Sequence, residues 1–120
     1  MNLIGEDSQY LTSKRGDTLN LVFEFNLVDS ADKLDLTNCS ARLHLQYMRT
    51  GTIFVNATTD NGLLTIDEEL GLVKLSVPAS TMAQAKIGRY LFDLELTFPD
   101  GFVLSSETNT LEIIKDITEI

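Results

Sequence analysis

Apolar and polar residues alternate with a period of two along most of the chain. The clearest run is Gly88 to Phe98: Tyr90, Phe92, Leu94, Leu96 and Phe98 fall on one side, Arg89, Asp93, Glu95 and Thr97 on the other. That is the pattern of a strand with one buried face. In a helix, at about 100° per residue, the same apolar set would be smeared around the whole circumference. The aromatic residues favour a pleated surface as well.

The other segments read as partners for this central strand. From Thr18 to Val28, Leu19, Leu21, Phe23, Phe25 and Leu27 alternate against Asn20, Glu24 and Asn26, while Val22 and Val28 interrupt the polar side and mark a patch for a partner to cover. Ala41, Leu43, Leu45 and Tyr47 alternate with Arg42, His44 and Gln46, a third strand from about Ser40 to Met48. Shorter strands are expected over Gln9 to Lys14, Ile53 to Thr58, Leu63 to Ile66, Leu72 to Val77, Phe102 to Ser105 and Thr110 to Lys115. Turn residues separate them, among them Arg15-Gly16-Asp17, Asn61-Gly62 and Pro99-Asp100-Gly101. Asp67 to Gly71 reads as the acidic tip of a small hairpin, and Leu34 to Asn38 as a crossing between sheets whose leucines plug one end of the core. Pro78 to Lys86 is the one helix-leaning stretch, opened by proline and ended before Gly88. The fold expected is all-β: an antiparallel Greek-key, immunoglobulin-like β-sandwich of about seven or eight strands with one short helix. Its parts are an N-terminal arm over residues 1–8, the sandwich over 9–116 and a C-terminal tail over 117–120.

Composition sharpens this. The 120 residues suffice for one domain with its own core. Cys39 is the sole cysteine, so the sandwich has no internal disulfide, and its neighbours Asn38 and Ser40 offer no cation to activate the thiol. Nine basic against eighteen acidic residues give a formal net charge of −9, which opposes nucleic acid and anionic membrane surfaces. The N-terminus has neither the basic start nor the apolar run of a signal peptide, and no stretch approaches the ~20 apolar residues of a spanning helix. The expected setting is a cytosol, unless a larger particle carries the chain out.

Candidate chemistry is sparse. His44, the only histidine, alternates onto the polar side of its strand and reads as a surface residue, and no Gly-x-Ser-x-Gly elbow accompanies it. Asp93 and Glu95 share the outer face of the central strand, a pairing that glycoside hydrolases use and that wet strands carry routinely. Asp60 with Asp67-Glu68-Glu69 lacks the residue order of a dedicated calcium loop. Arg15-Gly16-Asp17 is explained by a turn. Asn38-Cys39-Ser40 and Asn56-Ala57-Thr58 match glycosylation acceptors without a secretion signal to make them relevant. No catalytic, cofactor-binding or metal-binding residue is expected, and the chain is read as no enzyme. A carbohydrate-binding module is the alternative, with Tyr10 and Tyr47 the only aromatic platforms outside the central strand, since tryptophan is absent.

One ordered set of motifs goes further. Arg15-Gly16-Asp17-Thr18 precedes a long strand, Asp35-Leu36-Thr37 precedes a strand with Ala41-Arg42-Leu43, and Gly71-x-Val73 opens another. Gly88-Arg89-Tyr90-Leu91-Phe92-Asp93-Leu94-Glu95, Asp100-Gly101 and a closing strand complete the set. This order, over roughly residues 12 to 116, resembles small structural proteins of tailed bacteriophages and prophages, and is similar to the N-terminal attachment domain of phage baseplate upper proteins. Asn38 stands where such proteins often carry glycine, a position asparagine also tolerates. The resemblance implies a non-enzymatic virion subunit of the tail, baseplate or head-to-tail region, partnered by other virion proteins and by copies of itself, and held in the host cytoplasm before assembly. With the sequence ending at Ile120, it implies an adaptor, decoration or tail-completion subunit over a complete adhesin. Leu3, Ile4, Ile117 and Ile120 are the expected subunit contacts.

Overall fold

A computed structural model describes residues 2–4, 8–25 and 34–117. The strands are β1 (Asn2–Ile4), β2 (Tyr10–Lys14), β3 (Leu19–Glu24), β4 (Ser40–Tyr47), β5 (Ile53–Thr58), β6 (Leu64–Asp67), β7 (Leu72–Val77), β8 (Gly88–Thr97), β9 (Val103–Ser105) and β10 (Asn109–Ile114), with the single-turn helix α1 (Ala79–Met82) between β7 and β8. They form two sheets, in the orders β1-β3-β7-β6 and β2-β10-β8-β4-β5, with β9 beside β10 along the same β8 strand. The expected β-sandwich is therefore present, with β8 at its centre. Among the described residues there are ten strands, the nine segments that the pattern marks and residues 2–4, against the seven or eight expected for the sandwich.

Alternation translates directly into burial. Tyr90, Phe92, Leu94 and Leu96 of β8 are buried, as are Leu19, Leu21 and Phe23 of β3 and Ala41, Leu43 and Leu45 of β4. Each large side chain contributes about 1.5–3 kcal/mol relative to exposure. The two ends of the core are plugged by loop residues: Leu36, in the crossing between sheets, and Met82 with Ala85, in the helical stretch, are fully or almost fully buried. The helix is shorter than the stretch expected over residues 78–86. After Met82 the chain continues in tighter turns, with Gln84 N–H donating to Thr81 O and Ala85 N–H to Met82 O, which deliver it to Gly88 within five residues.

Two departures from strict antiparallel alternation shape the surface. First, β1 runs parallel to β3, with Leu3 opposite Phe23 and Ile4 opposite Glu24, and β2 runs parallel to β10. The N-terminal segment thus supplies an outer strand to each sheet. Val22, which interrupts the polar side of β3, lies opposite Asn2, while Leu27 and Val28 fall outside the described residues. Second, the β4–β5 register shifts between Leu45 and Gln46, so that Val55 pairs with Leu45 but Ile53 with Gln46. A bulge of this kind re-aims side chains. With Val55 and Ala57 buried, unbroken alternation would bury Ile53; instead Ile53 is exposed and Phe54 turns inward against Tyr90, ring centroids 5.8 Å apart.

Tyr90 fastens the entry to β8. Its hydroxyl donates to Lys86 O at 2.8 Å, the backward bond of a tyrosine corner. Burial pushes its phenol above the ordinary value. Two residues on, Phe92 meets Phe23 of the opposite sheet edge to face, centroids 6.3 Å apart and planes at 84°. Antibody domains join the corresponding strands by a disulfide; here two aromatic rings make the contact.

Candidate functional site

The strand directions sort the loops into two ends of opposite charge. At one end lie the crossing before β4, the β5–β6 and β6–β7 connections and the turn after β8. Among the described residues these carry Asp35, Asp60, Asp67, Glu68, Glu69 and Asp100, and no lysine or arginine. Asn38, at φ 59 in the left-handed conformation expected of it, donates its backbone N–H to Glu68 at 3.1 Å and so ties two of these loops together. Asp35 accepts from both the hydroxyl (2.6 Å) and the N–H (3.0 Å) of Thr37, and these two bonds, the hydroxyl foremost, hold its carboxyl below the usual range. Cys39 sits among the acids. Burial first, then Asp35, Glu68 and Asp100, push its thiol up, away from the thiolate.

At the opposite end stand Lys14, Arg15, Arg49, Lys86, Arg89 and Lys115, accompanied by Asp17, Asp116 and Glu112, which lies opposite Arg89 in register. This end also holds a hollow of about 170 Å³ walled by Tyr47, Ile53, Phe54 and Tyr90, with Gln84 and Lys86 on its rim. Its aromatic wall is built by contact: Tyr47 and Tyr90 lie 5.1 Å apart, Phe54 closes against Tyr90, and the Lys86 ammonium stands 5.8 Å from the Tyr47 ring centre. Gly88 makes room for Tyr47. At φ +137 it holds a conformation other residues avoid, and a Cβ there would lie 3.1 Å from Tyr47 Cε1. Ile53 of this wall is exposed, as are Met48 and Ile87, which adjoin Tyr47 and Gly88 in the chain.

The outer face of the larger sheet carries paired polar groups. Arg42 and Glu95 form an ion pair at 3.1 Å, worth about 0–1 kcal/mol at such exposure. His44 is exposed, as expected, and lies opposite Asp93 in register. Asp93 is exposed too, so the two outward acids of the central strand sit apart in role, Glu95 being ion-paired. Tyr10 donates its hydroxyl to Glu112, which raises its phenol above the ordinary value, and Arg89 lies over its ring. Of the two aromatic platforms considered for sugars, Tyr10 is thus on the surface, whereas Tyr47 is half-buried in the hollow, its hydroxyl on Ile87 O.

Other singled-out residues resolve into structure. Arg15-Gly16-Asp17 is a turn, closed by Asp17 N–H to Lys14 O with Gly16 at φ 92. Asp67 accepts the Leu70 N–H and Glu68 the Asn38 N–H, and among the described residues no three histidine, cysteine or acidic side chains converge on one point. Asn61 serves as an edge cap: its side chain accepts from Thr58 N–H and Leu63 N–H and donates to Asn56 O. Of the expected subunit contacts, Leu3 and Ile4 lie on β1, Ile117 follows β10 at the basic end and is 89% exposed, and Ile120 lies outside the described residues. The hollow was not foreseen, because the bulge that turns Phe54 inward has no signature in the hydrophobic pattern.

Two twisted sheets, a tyrosine corner and an inter-sheet contact between β3 and β8 define the class as an immunoglobulin-like β-sandwich. No protein-family model and no curated protein sequence matches the chain. Solved structures do. The N-terminal domain of phage TP901-1 ORF48 superposes with a TM-score of 0.58 at 12% identity, covering 95% of this chain and 95% of that one. The Ig-like domain of mouse leukocyte-associated immunoglobulin-like receptor 1, solved as a strand-swapped dimer, gives 0.53 at 16% identity over 88% of each chain. A chicken TCR gives 0.57 at 12% identity over 96% of this chain, which spans 57% of that one. At such identities the likeness is one of fold. Among the described residues, no helix is long and apolar enough to cross a membrane.

Proposed function

We propose that this chain is a non-enzymatic structural subunit of a bacteriophage virion, placed in the tail, baseplate or head-to-tail region, that works by protein–protein assembly. The observation that carries the reading is the match to a phage domain from end to end, 95% of each chain, where the vertebrate matches attest only a widespread sandwich. The ordered turn motifs running from Arg15-Gly16-Asp17-Thr18 to Asp100-Gly101 support it from the sequence. In this reading the working surfaces are the strand edges and loop ends, the partners are other virion proteins and further copies of the chain, and no cofactor is involved. The chain waits in the host cytoplasm and ends in the particle.

Quantitative mass spectrometry of purified particles from the source phage or induced prophage tests this. Several stoichiometric copies per particle are expected, their number indicating a symmetry ring. Absence from the particle would overturn the reading in favour of an assembly factor or a sugar-binding module, which a glycan array then separates.

A further inference from the structure

The two ends of the sandwich complement one another. At the basic end an apolar hollow opens between Tyr47, Phe54 and Tyr90, with Lys86 on its rim and Arg49 in the adjoining β4–β5 turn. At the acidic end the β6–β7 tip presents Leu70, 45% exposed, directly after Glu68 and Glu69. The tip is preorganised, since Asp67 Oδ1 accepts the Leu70 N–H at 3.0 Å, so seating it costs little ordering entropy. The hollow's 170 Å³ compares with the roughly 150 Å³ that accommodates a benzene-sized apolar group, enough for one leucine side chain.

From this match of charge and shape we infer that copies of the chain associate head to tail, the Asp67–Gly71 tip of one seated in the Tyr47–Phe54–Tyr90 hollow of the next. Aromatic pockets that desolvate a single apolar anchor are where binding energy concentrates. The net charge of −9 does not forbid the contact. At physiological salt the screening length is about 8 Å, so the acids and bases at the contact dominate and the remaining charge is largely screened. Because the two surfaces lie at opposite ends of the fold, each copy offers both at once. Such a heterologous contact builds a ring if its rotation closes and a filament if it does not. The inference deepens the assembly reading and rests on it for its biological setting, yet it is scored on the purified chain alone, so that either can fail without the other.

Sedimentation velocity of the full chain over a range of concentrations is the test. The sedimentation coefficient should rise with concentration at about 0.1 M salt. Association should weaken by at least about tenfold at 1 M, where the screening length falls from about 10 Å to about 3 Å. Two variants separate the ends. Leu70→Ser removes the apolar anchor of the tip, and Arg49→Glu with Lys86→Glu disables the hollow. Each should be monomeric alone, while an equimolar mixture should give a heterodimer and nothing larger, since only one productive contact is left. Circular dichroism checks that both fold; Leu70→Ala alone, a milder change at a half-exposed position, is the fallback and should weaken association. A wild type that stays monomeric throughout, variants that still self-associate, or a mixture that stays monomeric would each overturn the inference, and the first would leave the hollow to an acidic-tipped segment of another protein.

Discussion

Gly88→Ala is the sharpest probe of how the basic end is built. Two separate costs follow from the geometry. At φ +137 the backbone lies in a region that non-glycine residues enter at about 1–3 kcal/mol. The new Cβ would also meet the Tyr47 ring at 3.1 Å and its hydroxyl at 3.2 Å, closer than ordinary contact. Tyr47 is not free to retreat, being packed on Tyr90 and bonded through its hydroxyl to Ile87 O, so relief requires an off-rotamer side chain at about 0.5–1.5 kcal/mol. The expected loss is about 2–4 kcal/mol. Gly62→Ala is the control: φ is +82 and nothing stands within 4 Å of its Cβ, so only the backbone cost of about 1–2 kcal/mol applies. Urea unfolding with linear extrapolation compares the two. In thermal melts each kcal/mol should lower the midpoint by about 4 °C for a chain of 120 residues. The Gly88→Ala penalty should shrink in a Tyr47→Ala background, because the steric part is then gone. If Gly88→Ala costs no more than Gly62→Ala, or if its cost is the same with and without Tyr47, the packing argument is wrong.

Phe92→Ala should cost about 3–5 kcal/mol by emptying the centre of the sandwich and removing the edge-to-face partner of Phe23, read as a lower urea midpoint with unchanged slope. Tyr90→Phe should cost about 0.5–1.5 kcal/mol, the net value of its bond to Lys86 O, and leave the fold intact by circular dichroism. The Cys39 thiol, raised by burial and by Asp35, Glu68 and Asp100, should react with a neutral alkylating reagent at pH 7 more slowly than free cysteine; a faster reaction would contradict its acidic surroundings. Because the folded pKa of Asp35 is depressed by Thr37, its contribution to stability is present above the unfolded carboxyl pKa and disappears as pH falls through the folded one, so Thr37→Val should raise the Asp35 pKa followed by NMR titration.

Period-two alternation was enough to locate the core strands, because one buried face per strand leaves little choice of register: β8 was legible almost to the residue, from Gly88 to Thr97. Loop plugs were legible too, since Leu34 and Leu36 stand alone among polar residues and need somewhere to go. What escaped was set by pairing between distant segments. Three residues, Asn2 to Ile4, carry no period of their own; only the neighbouring β3 makes them a strand. The inward turn of Phe54 depends on a bulge opposite Leu45 and Gln46, and the segregation of charge depends on which loops the topology sends to which end. Neither is a property of a local window.

The sandwich also separates what its topology requires from what can be exchanged. The chain leaves β7, crosses from one sheet to the other through residues 78–87 and must enter β8 at a fixed height, and the Tyr90 hydroxyl on Lys86 O fixes that entry locally, without help from any other strand. A staple between β3 and β8 is a different matter, because any interaction of similar magnitude serves. A disulfide there would contribute about 2–4 kcal/mol, chiefly by restricting the unfolded chain. The Phe23–Phe92 pair gains about 0.5–1.5 kcal/mol from its edge-to-face geometry beyond the burial of two rings, at about 1.5–3 kcal/mol each. Those magnitudes are comparable, so the aromatic pair can hold the two sheets together where only one cysteine exists, and the fold does not depend on the redox state of its surroundings.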